Sequence, residues 1–349
     1  MNEFLKSILD GIHMVIPSYG WSIVAFTILI RLVLMPLDYK SRVGMRKISK
    51  LAPKQAELQK KYAKDQEKFQ RKLSELYRKE QVSPMSSCWP MLVSMPILFA
   101  MFAAMRMMAN EQLVQQTFDI ITAGAPTLEP FLWVKNLWMP DSPFTSAWPD
   151  LQSLNLIPEG EWLRMFNALP AETLAVLQEK VLAASGMELT AASFAGDALK
   201  STIANIGLTL QTVPEYAANT AVNTNLTLNL LVTQMSVAVN YNGFFILPLL
   251  SAASQFLMSK INPSTAAPAA TGDQAAQQNS TNNFMKWFFP LFSLWICLSY
   301  NAAFAAYWVT SNLIAMAQNY GINKYLDMKE AKAAANPEAT TDVSGKGLK

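Results

Sequence analysis

Five stretches of this chain approach the roughly 20 apolar residues that a helix needs to cross a bilayer core about 30 Å thick. They fall near residues 21–37, 88–108, 243–258, 284–298 and 304–320. No soluble core of ordinary size absorbs that many. Composition agrees: 51% of the 349 residues are hydrophobic and only 15% are charged, against roughly 25% charged in a typical soluble domain. The pattern predicts an all-α, polytopic membrane protein. Its core has five spans, with a cytoplasmic helical hairpin and an external, mostly helical insertion.

Charge asymmetry orients the spans. Residues 39–80 carry fourteen Lys/Arg against five Asp/Glu, whereas residues 109–240 carry four against twelve. Basic loops resist translocation, so the first region is read as cytoplasmic and the second as external. Five spans then leave the N-terminus outside and the C-terminus inside. Residues 1–19 place Phe4, Ile8, Ile12 and Ile16 at spacing four, with Leu5 and Leu9 beside them, the apolar face of an interfacial helix that Pro17 and Gly20 end. Glu3, Asp10 and the lack of a basic start weigh against a cleaved signal peptide. The expected order is 20–40 first span, 41–86 cytoplasmic hairpin, 87–109 second span, 110–242 external loop with insertion, and 243–260 third span. A linker at 261–283, the fourth and fifth spans as a hairpin at 284–320, and a cytoplasmic tail at 321–349 complete it.

Within 47–81, Leu51, Leu58 and Tyr62 share one helical face, and Phe69, Leu73, Leu76 and Tyr77 share another. Asp65 stands between them as an N-cap. The cations Lys54, Lys60, Lys61, Lys68, Arg71 and Lys72 are either a solvated surface or a docking face for anionic headgroups, ribosomal RNA or a partner protein.

Several chemistries are excluded. No phosphate-binding G-x-x-x-x-G-K-[ST] motif occurs, and the single histidine, His13, rules out H-E-x-x-H. Cys88 and Cys297 sit in apolar surroundings, against a disulfide framework. No span holds an Asp or Glu of the kind that relays protons in transporters. No enzyme activity and no cofactor are expected.

One charge stands inside a span. Arg31, in "ILIRLVLMPL", costs about 2.5–3.5 kcal/mol at a helix centre on insertion scales. Lying six residues before Leu37, it either snorkels to the cytoplasmic interface or faces a hydrated cavity, and the residues alone leave both readings open. Thr27, one turn away, and the polar residues Ser94, Gln255, Asn312 and Gln318 suit a wet groove. Each equally suits helix–helix contact.

Four blocks together resemble the YidC-type membrane protein insertases, related to the mitochondrial Oxa and chloroplast Albino proteins. They are "WSIVAFTILIRLVLMPLDYKS"; "LAPKQAELQKKYAKDQEKFQRKLSELYRKEQVSPMSSCWPMLVSMPILFAMF"; "FLWVKNL" with Pro140 and Asp141, continued by "FFILPLLSAASQFL"; and "MKWFFPLFSLWICLSYNAAFAAYWVTSNLIAMAQNY". The resemblance implies five helices around a hydrophilic groove that holds Arg31, with Trp308 among its lining residues. It also implies insertion of nascent membrane proteins into lipid, and partners such as a Sec-type translocon, the ribosome and the signal recognition machinery. It implies residence in the bacterial plasma membrane. Asn301, Ala302 and Ala303 replace the usual Pro-Ala/Ser-Gly of the last turn, Ser86-Ser87 replaces Gly-Gly, and the insertion at 141–242 is unusual. A noncatalytic assembly scaffold, or a channel or transporter, are the alternatives.

Overall fold

The structure is a computed structural model and describes residues 2–63, 65–82, 89–229, 234–261 and 273–335. Ser86, Ser87, Cys88, residues 262–272 of the expected linker and the tail beyond Ala335 lie outside the described residues, and the rest of that linker, from Asp273, is already helical. Two helices among those described are long and apolar enough to cross a bilayer, Tyr19–Lys50 and Met95–Ala123, and Lys286–Ser299 is a shorter apolar one. The chain divides into two compact units. Unit 1 is Met1–Phe26, Leu98–Ala252 and Phe292–Val309; unit 2 is Thr27–Ile97, Ala253–Leu291 and Thr310–Lys349.

Unit 1 opens with α1 (Asn2–Val15). Leu5 and Leu9 are its buried stripe, while Phe4, on the face expected from spacing four, is exposed along with Met14 and Val15. The chain breaks at residues 16–18, before α2 (Tyr19–Lys50) begins. Gly20 is therefore inside the helix and not part of the break. It is glycine because Phe131 fills the space where a Cβ would stand. His13 stacks on Tyr19 at 3.7 Å, a packed side chain.

Helix α5 (Trp89–Ala123) continues well past Ala109 and is the spine of this unit. It buries Met101, Met105, Met108, Val114, Phe118 and Ile121. Phe118 passes the core on to Trp162, with ring centroids 5.9 Å apart, and Trp162 stacks on Phe194 at 5.7 Å. Around these rings the insertion builds five helices: α6 (Leu151–Leu154), α7 (Glu159–Asn167), α8 (Ala171–Ser185), α9 (Ala198–Gln211) and α10 (Pro214–Thr220). A hairpin absent from the sequence reading follows, β1 (Val222–Asn229) antiparallel to β2 (Gln234–Ala238). Its signal was the alternation of "VNTNLTLN", which favours a strand over a helix.

Charges tie the insertion to the spine. Glu111 on α5 accepts from Lys6 of α1 at 3.3 Å and pairs with Arg164 of α7, which also pairs with Glu161. The last hairpin, between α12 (Asp273–Ser299) and α13 (Ala302–Ala335), is capped locally: the Asn301 carboxamide oxygen accepts the Phe304 N–H at 2.9 Å. Asn301 thereby does the work of an N-cap where the resemblance expects a proline turn. The Ala302 and Ala303 N–H groups donate to the Met139 and Leu137 carbonyls at 3.0 and 2.9 Å.

Unit 2 contains the rest of α2, the hairpin helices α3 (Ala52–Lys61) and α4 (Gln66–Lys79), the end of α11 (Ile246–Ile261), and most of α13. Asp65 caps α4 as expected, accepting the Lys68 N–H at 3.0 Å. The buried face of α3 differs from the expected one: it runs Leu51, Gln55, Gln59, with Leu58 only half-buried. Spacing four from Leu51 selects the two glutamines, and Gln55 is accommodated by donating to the Tyr77 hydroxyl at 3.0 Å.

Candidate functional site

In unit 2, α2 and α13 meet at Arg31. The Ser311 Oγ accepts from both Arg31 Nε–H (3.2 Å) and Nη2–H (2.6 Å). A guanidinium has five donors, so with two engaged here three remain. Among the described residues no carboxylate lies within ion-pair distance of Arg31. Among the described residues its direct side-chain partner is one neutral hydroxyl, with the Asp38 carboxylate, two turns along α2, acting on it electrostatically beyond ion-pair distance.

Gln318 supports the same spot, its Nε2 donating to the Arg31 carbonyl at 2.9 Å. Helix geometry explains the pairing. Ser311 and Gln318 are seven residues apart, two turns on one face of α13. Pro36 lies just beyond on α2, with no N–H to offer the Leu32 carbonyl and a ring that pushes against it, so hydrogen bonding in this turn is weakened. The Gln318 Oε1 is buried without a partner. Thr27 is buried one turn before Arg31. Asn312 points to α11, donating to Ser254 Oγ at 3.0 Å.

The structure thus brings Arg31 and Gln318 together with Ser311, which sequence reasoning missed. The seven-residue spacing to Gln318 could have revealed it. Asn312 meets Ser254, while the neighbouring Gln255, expected at the groove, is half-buried and one residue off that face. Trp308 belongs to unit 1, where its ring lies 5.4 Å from Phe304 and its Nε1 is buried without an acceptor. The Ser94 side chain lies outside the described residues. Further along, Arg46 reaches Asp327 at 2.6 Å and Glu330 at 3.6 Å, and Lys50 reaches Glu330 at 3.1 Å, joining α2 to α13.

The hairpin cations divide into two groups. Lys54 pairs with Glu80 at 2.7 Å, Lys72 with Glu75 at 2.7 Å and Lys68 with Asp65 at 3.0 Å. The Lys54 ammonium holds the Glu80 carboxyl below the usual carboxylate range. The Lys68 backbone N–H, then its ammonium, does the same for Asp65. These pairings are therefore present above the ordinary carboxylate pKa and are lost as pH falls through the depressed values. Lys60, Lys61 and Arg71 are exposed and have no ion-pair partner among the described residues. Also among those residues, no cluster of three or more His, Cys, Asp or Glu is placed to hold a metal.

A second polar constellation closes unit 1. Asn242 is fully buried. Its Nδ2 donates to the carbonyls of Asn136 (2.8 Å), Met139 (3.1 Å) and Pro140 (2.9 Å), and its Oδ1 accepts the Asn136 N–H at 2.7 Å. Asp141, also buried, accepts from the Phe244 and Leu247 N–H groups, both at 2.7 Å, and from Trp133 Nε1 at 3.1 Å. A Cβ on Gly243 would overlap the Asp141 carboxylate. This clasp fastens residues 136–141 to 242–247.

Residues 11–330 match the family described as "60Kd inner membrane protein". Proteins named membrane protein insertase YidC are similar to the chain in part. The one from Leptospira interrogans (serovar Lai) is 38% identical over 131 residues, 38% of this chain and 18% of that protein. The one from Wolinella succinogenes is 42% identical over 95 residues, 27% of this chain and 18% of that protein. The one from Anaeromyxobacter dehalogenans is 34% identical over 140 residues, 40% and 23% of the two chains. Each match covers less than a quarter of the relative's own length.

Proposed function

Because the chain belongs to the 60Kd inner membrane protein family, we propose that it is a membrane protein insertase and chaperone of a bacterial plasma membrane. In this reading its five apolar segments all cross the bilayer, with the N-terminus outside and the C-terminus in the cytoplasm. The observation that carries the proposal is the state of Arg31: a permanent cation on an apolar helix, held by Ser311 with three donors unspent and, among the described residues, no carboxylate within ion-pair distance. A structural cation inside a membrane protein is normally paired. One without an ion-pair partner among the described residues, beside Ser311 and Gln318, suits a groove that receives polar or acidic groups of a nascent membrane protein. Such a groove shortens the low-dielectric path that the substrate's polar tail must cross. Burial of about 20 apolar residues in lipid then drives the step, with no nucleotide consumed.

Rescue of a bacterium depleted of its own insertase tests the proposal. The intact chain is expected to restore insertion of small membrane proteins, scored by protease protection of their external ends. Stable expression without any rescue sinks the insertase reading and leaves an assembly scaffold.

Partner recruitment falls to the hairpin in the same proposal, through Lys60, Lys61 and Arg71, the cations not occupied by the hairpin's own acids. A ribosome, a Sec-type translocon and the signal recognition machinery are the partners it fits. Exposed ion pairs are worth about 0.3–1 kcal/mol each. Changing all three to Gln should therefore weaken co-sedimentation with ribosomes or translocon vesicles roughly five-fold or more. The matching triple change at Lys54, Lys68 and Lys72 should lower the hairpin's helicity first. Equal effects of the two sets on binding, with helicity unchanged, would remove the division of labour.

A further inference from the structure

Two of the three non-glycine residues with positive φ among those described, Leu132 (φ +55°) and Phe245 (φ +64°), belong to unit 1. Leu132 is the first central residue of a tight turn in which Phe131 and Val134 exchange backbone hydrogen bonds of 2.9 Å each way. Such positions are ordinarily taken by Gly, Asn or Asp, which tolerate the left-handed region and water. Here the chain holds a leucine there, 62% exposed. A polar residue would be cheaper on both counts, and strain of this kind marks places where position itself is used.

The turn is fixed from behind. Phe131 fills the space over Gly20 and lies edge-on to Trp21 at 5.5 Å, and Trp133 donates to buried Asp141. Beside it, Phe244 is half exposed and packs on Tyr241 at 5.1 Å, while the Lys135 Nζ sits 4.6 Å over the Tyr241 ring. Exposed apolar tips, amphipathic rings and one lysine form the composition of a membrane–water boundary. Continuity selects the occupant. Exposed Trp21 begins a stripe on α2 that runs on through exposed Ile28, Leu29, Leu32 and Val33, and Phe244 begins one on α11 through Ile246, Leu249 and Leu250. The patch is the rim of two faces that only lipid hydrocarbon would cover.

We infer that the 131–135 turn and Phe244 form a lipid anchor, with Leu132 seated in the interfacial layer of the leaflet at the N-terminal end of α2. This rests on the reading that α2 and α11 span the bilayer. The test uses the full chain with Cys88 and Cys297 changed to Ala, carrying Leu132→Cys or Phe244→Cys labelled with an environment-sensitive fluorophore. It is reconstituted in phosphatidylethanolamine–phosphatidylglycerol vesicles with nitroxide on the headgroup or near the acyl terminus. Val33→Cys reports the span and Glu172→Cys the aqueous surface. At 132 and 244 the headgroup nitroxide should quench at least about twofold more than the deep one, with iodide quenching well below that at 172. Iodide quenching equal to that at 172, without lipid quenching, overturns the anchor; a docking protein as the true occupant gives that same result in vesicles holding this chain alone. If the label at 33 also escapes the deep nitroxide, the spanning reading fails and the anchor fails with it.

Discussion

Arg31→Ala should leave insertion of substrates with acidic external tails at least about ten-fold below the intact chain, because a hydrogen bond to a charged group is worth about 1.5–3 kcal/mol and each 1.4 kcal/mol is a factor of ten. Arg31→Lys should keep much of the activity. The groove needs the sign of the charge, and an ammonium can still donate once to Ser311. Ser311→Ala should fall between wild type and Arg31→Ala, since it frees the guanidinium from its two bonds without removing it. Quantified insertion in the depleted strain checks the order. Equal defects for Lys and Ala would show that the paired N–H geometry matters and the charge alone does not. No defect for Ala would make Arg31 a snorkelling anchor.

The second large effect is expected at Asn242. Asn242→Ala strips the Asn136 N–H and the Pro140 carbonyl of their partners in a buried place, while the Asn136 and Met139 carbonyls keep the backbone N–H groups of Met139 and Ala302. An unsatisfied buried group costs about 1–3 kcal/mol, so two of them should cost about 2–4 kcal/mol, large for a single substitution. Asn242→Asp, nearly isosteric, should be no milder, because it turns a carboxylate oxygen toward three carbonyls. Gly243→Ala should fail for steric reasons against Asp141. Limited proteolysis of purified protein should show cleavage within 141–242 at far lower protease in these variants. An unchanged cleavage profile for Asn242→Ala would contradict the energetic account of the clasp.

Periodicity and charge made much of this legible. The helices of the apolar segments, the two-helix hairpin with Asp65 as its cap, and the helical insertion all follow from local pattern, and Arg31 was conspicuous as a charge where water is scarce. What escaped is what depends on chain segments far apart in sequence. Ser311 looked like any small helix residue until α2 supplied Arg31. Ser254 took the place given to Gln255 because one residue is about 100° of helix rotation, beyond the precision of an apolar pattern. Gln55 and Gln59 were missed at the hairpin interface because burial of an amide depends on a partner such as Tyr77 on the other helix. Nothing local announces that Asn242 answers Asn136, 106 residues earlier.

The clasp has a bearing on how such a chain changes over time. The insertion leaves and re-enters at neighbouring points, with Lys135 bonded to Asn242 and Ala147 to Asn240 through the backbone. The entropy of closing a loop grows only with the logarithm of its length. Once the clasp is made, lengthening or shortening what hangs from it costs the rest of the fold little. The docked side is the exception: trimming α7 would expose Phe118 and strip Glu111 of Arg164. Apart from the docked α7, the stretch between the clasp residues Asp141 and Asn242 is therefore an exchangeable module on a fixed socket, free to acquire contacts of its own.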